Sequence, residues 1–125
     1  MNSTNNKKIL VIEDDKFLRD LIVRKLDSEG FDTLEAIDGE EGIILAGKEK
    51  PNLILLDLIL PGMHGFDVLK KIKENPEIKS IPVIILSNLG QRDDVDQAVA
   101  LGAADYLIKA HSSPSEIVEK IKSFL

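Results

Sequence analysis

Short apolar runs alternate with longer amphipathic segments along the whole chain. Residues 9–12, 53–56 and 83–86 are continuously apolar and of strand length, which is typical of strands buried on both faces of a parallel sheet. Two weaker candidates, residues 31–36 and 104–108, contain charged or polar residues and fit the edges of a sheet better than its centre. The pattern therefore predicts five strands, three of them central and two at the edges.

A helix is predicted after each strand, because apolar residues recur there at helical spacing. Gly30 and Gly102 stand where two of these helices would end in left-handed backbone, and Pro76 closes a third. Ser113 and Glu116 have the spacing of a capping box ahead of the last helix. The alternation predicts an α/β fold, a five-stranded parallel sheet flanked by five helices, and the ranking of the apolar runs favours the strand order 2-1-3-4-5.

Composition narrows the classes of protein that fit this fold. A length of 125 residues suits a single domain. No apolar run approaches the roughly 20 residues of a membrane span, and residues 1–8 lack the apolar segment of a secretory signal, so we expect a cytoplasmic protein without a membrane partner. The absence of cysteine excludes disulfides, thiolate metal sites and cysteine nucleophiles.

The net charge of the chain indicates which partners it can attract. The formal net charge is −6, which disfavours nucleic acid as a partner and favours a cation. The two histidines, His64 and His111, lie in separate loop-like segments and give little support to a histidine metal cluster. A metal site in this chain would therefore be built from oxygen ligands.

Polar side chains follow four of the predicted strands. Glu13 and Asp14 come after the first strand, and Asp57, Ser87 and Lys109 end the third, fourth and fifth. Taken singly, each has an ordinary explanation as a helix cap, a turn residue or a surface charge. In a parallel sheet of this order, however, the carboxyl ends of all strands lie along one edge, where ligands bind. We therefore expect these five side chains to form one site.

The chemistry of such a site follows from its charges. Three carboxylates held together repel one another and raise each other's pKa unless a cation compensates them. Mg²⁺ prefers oxygen ligands and commonly joins one or two carboxylates to a phosphate, which predicts a Mg²⁺ site at Glu13, Asp14 and Asp57. Asp57 would then be a nucleophile toward phosphorus, with Lys109 and Ser87 contacting the oxygens of the transferred group.

Four segments in fixed order carry a family resemblance. They are Ile-Leu-Val-Ile-Glu-Asp-Asp at 9–15, Leu-Leu-Asp-Leu-Ile-Leu-Pro-Gly-Met-His-Gly at 55–65, Ile-Leu-Ser at 85–87 and Gly-Ala-Ala-Asp-Tyr-Leu-Ile-Lys at 102–109. Together they resemble the receiver domain of bacterial two-component response regulators, whose fold is flavodoxin-like. The resemblance covers residues 8–125, and residues 1–7 are predicted to be a disordered tail.

The resemblance implies a role for each residue. Asp57 would be the phosphoacceptor, while Glu13, Asp14 and the main-chain carbonyl of Ile59 would join it in holding Mg²⁺. Ser87 and Tyr106 would be the switch pair, in which the hydroxyl turns toward the phosphoryl group and the ring moves inward. The simpler interpretation of Tyr106 is an edge-strand ring packed on a helix.

The implied partners follow from the same resemblance. A sensor histidine kinase or a phosphotransfer protein would supply the phosphoryl group, and an unknown downstream protein would bind the switched surface. The chain would be a signalling switch rather than an enzyme with an external substrate, although it would catalyse its own phosphorylation and dephosphorylation. The residues leave open whether the domain acts alone or as part of a longer protein.

Two positions depart from the family pattern. Family members usually carry proline after the lysine, often with a cis bond, whereas Ala110 follows Lys109 here. A cis bond before a residue other than proline costs about 3 kcal/mol, so either the surroundings enforce it or a trans bond places Lys109 differently. Asn88 follows Ser87, where a smaller side chain is common, and its amide is expected to alter access to the site.

Three alternative functions compete with this one. A haloacid dehalogenase type of phosphatase would need a second aspartate two positions after the nucleophile, where Ile59 stands. A flavin-binding protein would need a phosphate loop after the first strand, where three acidic residues would repel the phosphate. A phosphorylation-independent docking module with the same fold remains as the alternative.

Overall fold

Strands and helices alternate strictly along the chain. The computed structural model describes residues 7–125, and the predicted tail of residues 1–7 lies outside them except for Lys7. A short 3₁₀ helix precedes the last α-helix. The elements are β1 Lys8–Ile12, α1 Lys16–Ser28, β2 Asp32–Ala36, α2 Gly39–Glu49, β3 Leu53–Leu56, α3 Gly65–Glu74, β4 Val83–Ser87, α4 Arg92–Ala100, β5 Asp105–Ile108, the 3₁₀ helix Lys109–His111 and α5 Pro114–Lys122.

The five strands form one parallel sheet in the order β2-β1-β3-β4-β5. This confirms the predicted fold class, the strand order and the assignment of β2 and β5 to the edges. At the centre, Ile12 of β1 lies opposite Leu56 of β3, so these two strands end in register. The residues that follow them are therefore neighbours in space although they are far apart in the chain.

The sheet has an apolar core on each face, because successive side chains of a strand point to opposite sides. Leu10 and Ile12 of β1 belong to the core under α2, α3 and α4. Ile9 and Val11 of the same strand belong to the core under α1 and α5. This double burial explains the continuous apolar runs 9–12, 53–56 and 83–86 of the central strands, and it gives the strand ends a rigid support.

Helix termini follow the predicted signals. Asp15 begins α1 and accepts a hydrogen bond from the Leu18 amide at 3.2 Å, so it acts as the N-cap. Ser113 and Glu116 form the predicted capping box at α5. Gly30 and Gly102 have φ values of 91° and 102°, the left-handed backbone expected after a helix. Among the residues that the structure describes, no helix combines the length and the apolar character that crossing a bilayer requires.

Candidate functional site

Three carboxylates meet where β1 and β3 end. One oxygen each from Glu13, Asp14 and Asp57 lies within 4.8 Å of the other two. The register of the strands causes this meeting, since the Asp57 amide donates to the Ile12 carbonyl at 3.0 Å and thereby sets the two strand ends side by side. The structure thus brings together the three acidic residues that the sequence predicted as neighbours.

Lys109 reaches this cluster from the end of β5. Its Nζ lies 2.8 Å from Asp57 Oδ2 and 2.9 Å from Glu13 Oε1, and its side chain is 17% exposed. Burial lowers the pKa of Lys109, but its bonds to Asp57 and Glu13 outweigh burial and leave that pKa above its usual value. The ammonium therefore stays charged and bridges two carboxylates.

The bond between Lys109 and Ala110 is trans, as are all other peptide bonds in residues 7–125. Alanine stands here where the family usually has proline, so the position of Lys109 depends on the geometry of this bond. A trans bond leading into the 3₁₀ helix still directs its side chain to the two carboxylates. Proline is therefore not needed here to bring the ammonium into the site.

Glu13 is a deeply buried carboxyl group of the site. It is 2% exposed, and its Oε2 accepts from the Asp15 amide at 3.0 Å. Oε1 is fully buried with no hydrogen-bond partner among the described residues, since its contact with Lys109 is an ion pair without hydrogen-bond geometry. Burial is the main cause that raises the pKa of Glu13 to about 7, with the Asp57 charge adding to it and Lys109 opposing it.

Three carboxylates share one ammonium here, and Glu13 Oε1 is buried without a hydrogen bond. This set suits a hard divalent cation, because such an ion adds positive charge and accepts several oxygen ligands. A histidine or thiolate site is not present there: the pocket is lined by Glu13, Asp14, Asp15, Asp57, Ile59, Asn88 and Lys109. Its open volume of about 290 Å³ leaves room for an ion with a small anion. The donor set therefore fits Mg²⁺.

Asp57 is held from two sides. It is 3% exposed, Oδ2 contacts Lys109 and Oδ1 accepts from the Ile59 amide at 3.2 Å. Ile59 lines the pocket, but the role of its main-chain carbonyl as a metal ligand stays a prediction. Asn88 is exposed and lines the pocket, and its effect on access to the site stays a prediction.

The predicted switch pair, Ser87 and Tyr106, is linked by hydrogen bonds to Leu89. Ser87 is fully buried, and its Oγ accepts from the Leu89 amide at 3.2 Å. The Tyr106 hydroxyl donates to the Leu89 carbonyl. Burial, followed by the nearby Asp94 charge, raises the pKa of Tyr106. Ser87 and Tyr106 thus bond to opposite ends of the same residue, and the simple ring-packing interpretation of Tyr106 is incomplete.

Two residues near the site were missed by sequence reasoning. Arg19 donates from Nη1 to the Glu13 carbonyl at 2.8 Å, a contact that the spacing of residues in the sequence does not predict. Gly65 lies against the strand end, where an added Cβ would be 2.5 Å from both the Asp57 carbonyl oxygen and Leu58 Cα. Gly65 belongs to the segment 55–65 that carries the family resemblance, but its steric role depends on how closely α3 approaches β3.

Comparison with known proteins agrees with this geometry. Residues 9–122 match the family model described as response regulator receiver domain. The chain is 37% identical over 118 residues to the DNA-binding dual master transcriptional regulator RpaA of Synechocystis, covering 94% of this chain and 48% of the relative. It is 33% identical over 118 residues to the phosphate regulon regulator PhoB of Rhizobium meliloti, covering 94% and 52%.

A solved structure extends the likeness to three dimensions. The Mn²⁺-bound form of response regulator Rcp1 superimposes with a TM-score of 0.83 at 34% identity, covering 94% of this chain and 93% of that one. The chain spans about half the length of the two curated relatives, so only their receiver parts correspond to it. Given the family match over residues 9–122, the chain belongs to the response regulator receiver domains, the signalling switches of two-component systems.

Proposed function

We propose that Asp57 accepts a phosphoryl group in a Mg²⁺-dependent reaction and that the resulting charge switches a partner-binding surface. The observation that carries this proposal is the meeting of Glu13, Asp14 and Asp57 within 4.8 Å, with the Lys109 ammonium 2.8 Å from Asp57. A helix cap or a surface charge would need no such convergence. A nucleophilic carboxylate that attacks phosphorus needs both a counter-charge and a fixed direction, and the pocket supplies both.

The transfer is a displacement at phosphorus. A carboxylate oxygen of Asp57 forms the new P–O bond while the P–N bond of phosphohistidine breaks, and the imidazole leaves with the bonding electron pair. The product is an acyl phosphate on Asp57. Lys109 pairs with the oxygens of the incoming group, and the Ser87 hydroxyl donates to another of them once it turns from the Leu89 amide.

Bound Mg²⁺ supplies neutralising charge for the phosphoryl oxygens and for the crowded carboxylates. Asp14 and Asp57 would hold it directly, Glu13 through water, and the Ile59 carbonyl would complete the protein ligands. The crowding of three carboxylates around one ammonium supports this assignment, because a single positive charge leaves part of their negative charge uncompensated. The divalent ion in Rcp1, a protein 34% identical to this chain, gives further support.

The phosphodonor is a sensor histidine kinase or a phosphotransfer protein. Ile59, two residues after Asp57, lines the pocket and is 56% exposed. An exposed apolar group at a charged pocket suits protein contact better than a small free substrate. A downstream protein would bind the surface around Tyr106, which moves when Ser87 turns toward the phosphoryl group.

A small phosphodonor tests the proposal. Protein incubated with acetyl phosphate and Mg²⁺ should gain one phosphoryl mass, and hydroxylamine should remove it, since acyl phosphates react with that nucleophile. Asp57→Ala should gain none, and removal of Mg²⁺ by a chelator should prevent the gain in the parent. An unchanged mass with several donors would instead favour the phosphorylation-independent docking module.

A further inference from the structure

Arg19 of α1 makes two directed contacts next to the acidic pocket. Nη1 donates to the Glu13 carbonyl at 2.8 Å, and Nε donates to Glu35 Oε1 on β2 at 3.0 Å. The Arg19 side chain is only 11% exposed, whereas that of Glu35 is 44% exposed. The guanidinium is therefore held between the edge strand and the end of β1, with its main-chain contact on the buried side.

The carbonyl that Arg19 contacts belongs to the peptide unit that joins Glu13 to Asp14. This unit is planar, so a hydrogen bond to its oxygen limits the rotation that sets the directions of both side chains. The other polar main-chain atom of Glu13, its amide nitrogen, donates to the Ala36 carbonyl at 3.0 Å. Arg19 and β2 thus restrain the main chain on both sides of Glu13.

This restraint matters because the two acidic residues differ in burial. Glu13 is 2% exposed and enclosed by its own contacts. Asp14 is exposed, and no ion pair or side-chain hydrogen bond holds its carboxylate among the described residues. Its direction therefore depends on the backbone that carries it, and the peptide unit fixed by Arg19 is the nearest element of that backbone.

We propose that Arg19 is a positioning residue for the divalent cation site, acting through the peptide unit between Glu13 and Asp14, an inference that rests on the proposed function. Arginine suits this role because its planar fork donates in two fixed directions at once, here to a carbonyl and a carboxylate. A lysine could place a charge there but could not make both bonds. Glu35 stabilises the buried guanidinium by pairing with it.

The test compares two substitutions that remove the same charge from the same helix. Arg19→Met loses the contact with the Glu13 carbonyl, while Arg24→Met removes an exposed arginine of α1 and serves as the control. Mg²⁺ affinity is measured by calorimetric or NMR titration of the metal-free protein. Arg19→Met should weaken Mg²⁺ binding by about 10-fold, the usual effect of removing a group that orients a metal ligand, and Arg24→Met should bind like the parent.

Two further variants separate positioning from simple stability. Glu35→Gln keeps an acceptor for Nε and should leave Mg²⁺ affinity close to that of the parent, even if the protein unfolds at lower urea concentration. Arg19→Lys keeps the charge and should still weaken Mg²⁺ binding, so it replaces Arg19→Met should that variant not fold. In Arg19→Met the Asp14 amide resonance should shift without Mg²⁺, because its own peptide unit loses a hydrogen bond.

The outcomes distinguish the two proposals. If the parent binds Mg²⁺ and both Arg19 variants bind it equally well, the positioning role is wrong and the proposed function stands. If Glu35→Gln weakens binding as much as Arg19→Met, the ion pair rather than the carbonyl contact is responsible, which also overturns the inference. If the parent binds no Mg²⁺, the proposed function fails, and the positioning role fails with it.

Discussion

The acidic pocket and the region around Tyr106 differ in how deeply their residues are buried and therefore in how firmly they are held. Glu13 and Asp57 are 2% and 3% exposed and follow β1 and β3, whose residues are almost all buried. Tyr106 lies on the edge strand β5, which is half-buried at all four positions. The two buried carboxylates thus lie at the ends of central strands, whereas the residue proposed to move lies where fewer contacts resist displacement.

The helices beside the two regions show the same contrast. The helix α3, which follows Asp57 in the chain, buries four residues. His64 caps its start, because its Nδ1 accepts from the Phe66 amide at 3.0 Å. The helix α4, which follows Ser87, buries only Ala98 and has no side-chain cap bond at its start. Moving α4 should therefore cost much less free energy than moving α3, which suits a surface that reports on the pocket.

The largest effect is expected from the charge of Glu13 in metal-free protein. Its pKa is about 7 in the folded state against 4.5 in the unfolded chain, so between these pH values the folded state retains a proton that the unfolded state releases. The free energy of unfolding should therefore fall as pH rises from 4.5 to 7, by up to about 3 kcal/mol at about 1.4 kcal/mol for each pKa unit.

Urea unfolding at several pH values measures this slope, and Glu13→Gln provides the reference because it cannot ionise. The difference between parent and variant should be constant above pH 7, where Glu13 is charged in both states. A parent curve that runs parallel to that of Glu13→Gln over the whole range would show that burial does not perturb this carboxyl.

The next largest effect is expected at Lys109, whose substitution should slow phosphoryl incorporation and strengthen Mg²⁺ binding. Lys109→Met should slow phosphoryl incorporation by about 100-fold, since a fixed donor to the transferred oxygens is lost. It should also tighten Mg²⁺ binding, because the ammonium, 2.8 Å from Asp57 and 2.9 Å from Glu13, competes with the ion for these oxygens. Mass spectrometry against time and Mg²⁺ titration measure the two, with exposed Lys70→Met as control.

A steric change at the support of the pocket should have a somewhat smaller effect. Gly65→Ala would place Cβ 2.5 Å from the Asp57 carbonyl oxygen, which is main chain and cannot turn aside. The free energy of unfolding should fall by about 2 kcal/mol, and phosphoryl incorporation should slow as Asp57 shifts. Gly47→Ala is the matched control, since nothing lies within 4 Å of its Cβ; in a helix it should stabilise by about 0.5 kcal/mol.

The smallest effect is expected at the edge of the sheet. Tyr106→Phe removes only the hydroxyl that donates to the Leu89 carbonyl, so stability should fall by about 1 kcal/mol or less. Mg²⁺ affinity should not change, because the residue lies outside the pocket lining. A clear loss of Mg²⁺ affinity in this variant would contradict the contrast between a rigid pocket and a loosely held edge.

Much of the fold was predictable because burial on both faces leaves a direct trace in the sequence. The continuous runs of β1, β3 and β4 and the charged positions of β2 and β5 predicted centre and edges correctly. The start of α4 at Arg92 was not predictable, because it lies ahead of the apolar positions and Gln91 makes no side-chain bond that would mark it. Local sequence carries little information where a helix end is held by its backbone alone.

The order of apolar runs, and the polar residues that end them, determined by themselves that this protein is a parallel α/β domain with an acidic edge. Only the tertiary structure decided which atoms meet: that Lys109 reaches both Asp57 and Glu13 across a trans bond, that Gly65 permits α3 to contact the end of β3, and that Arg19 holds the backbone of the pocket. The physical reason is the separation along the chain of the residues that meet. Periodicity reports which face of an element is buried, whereas contacts between residues distant in the chain depend on strand register and helix approach, which no local pattern records.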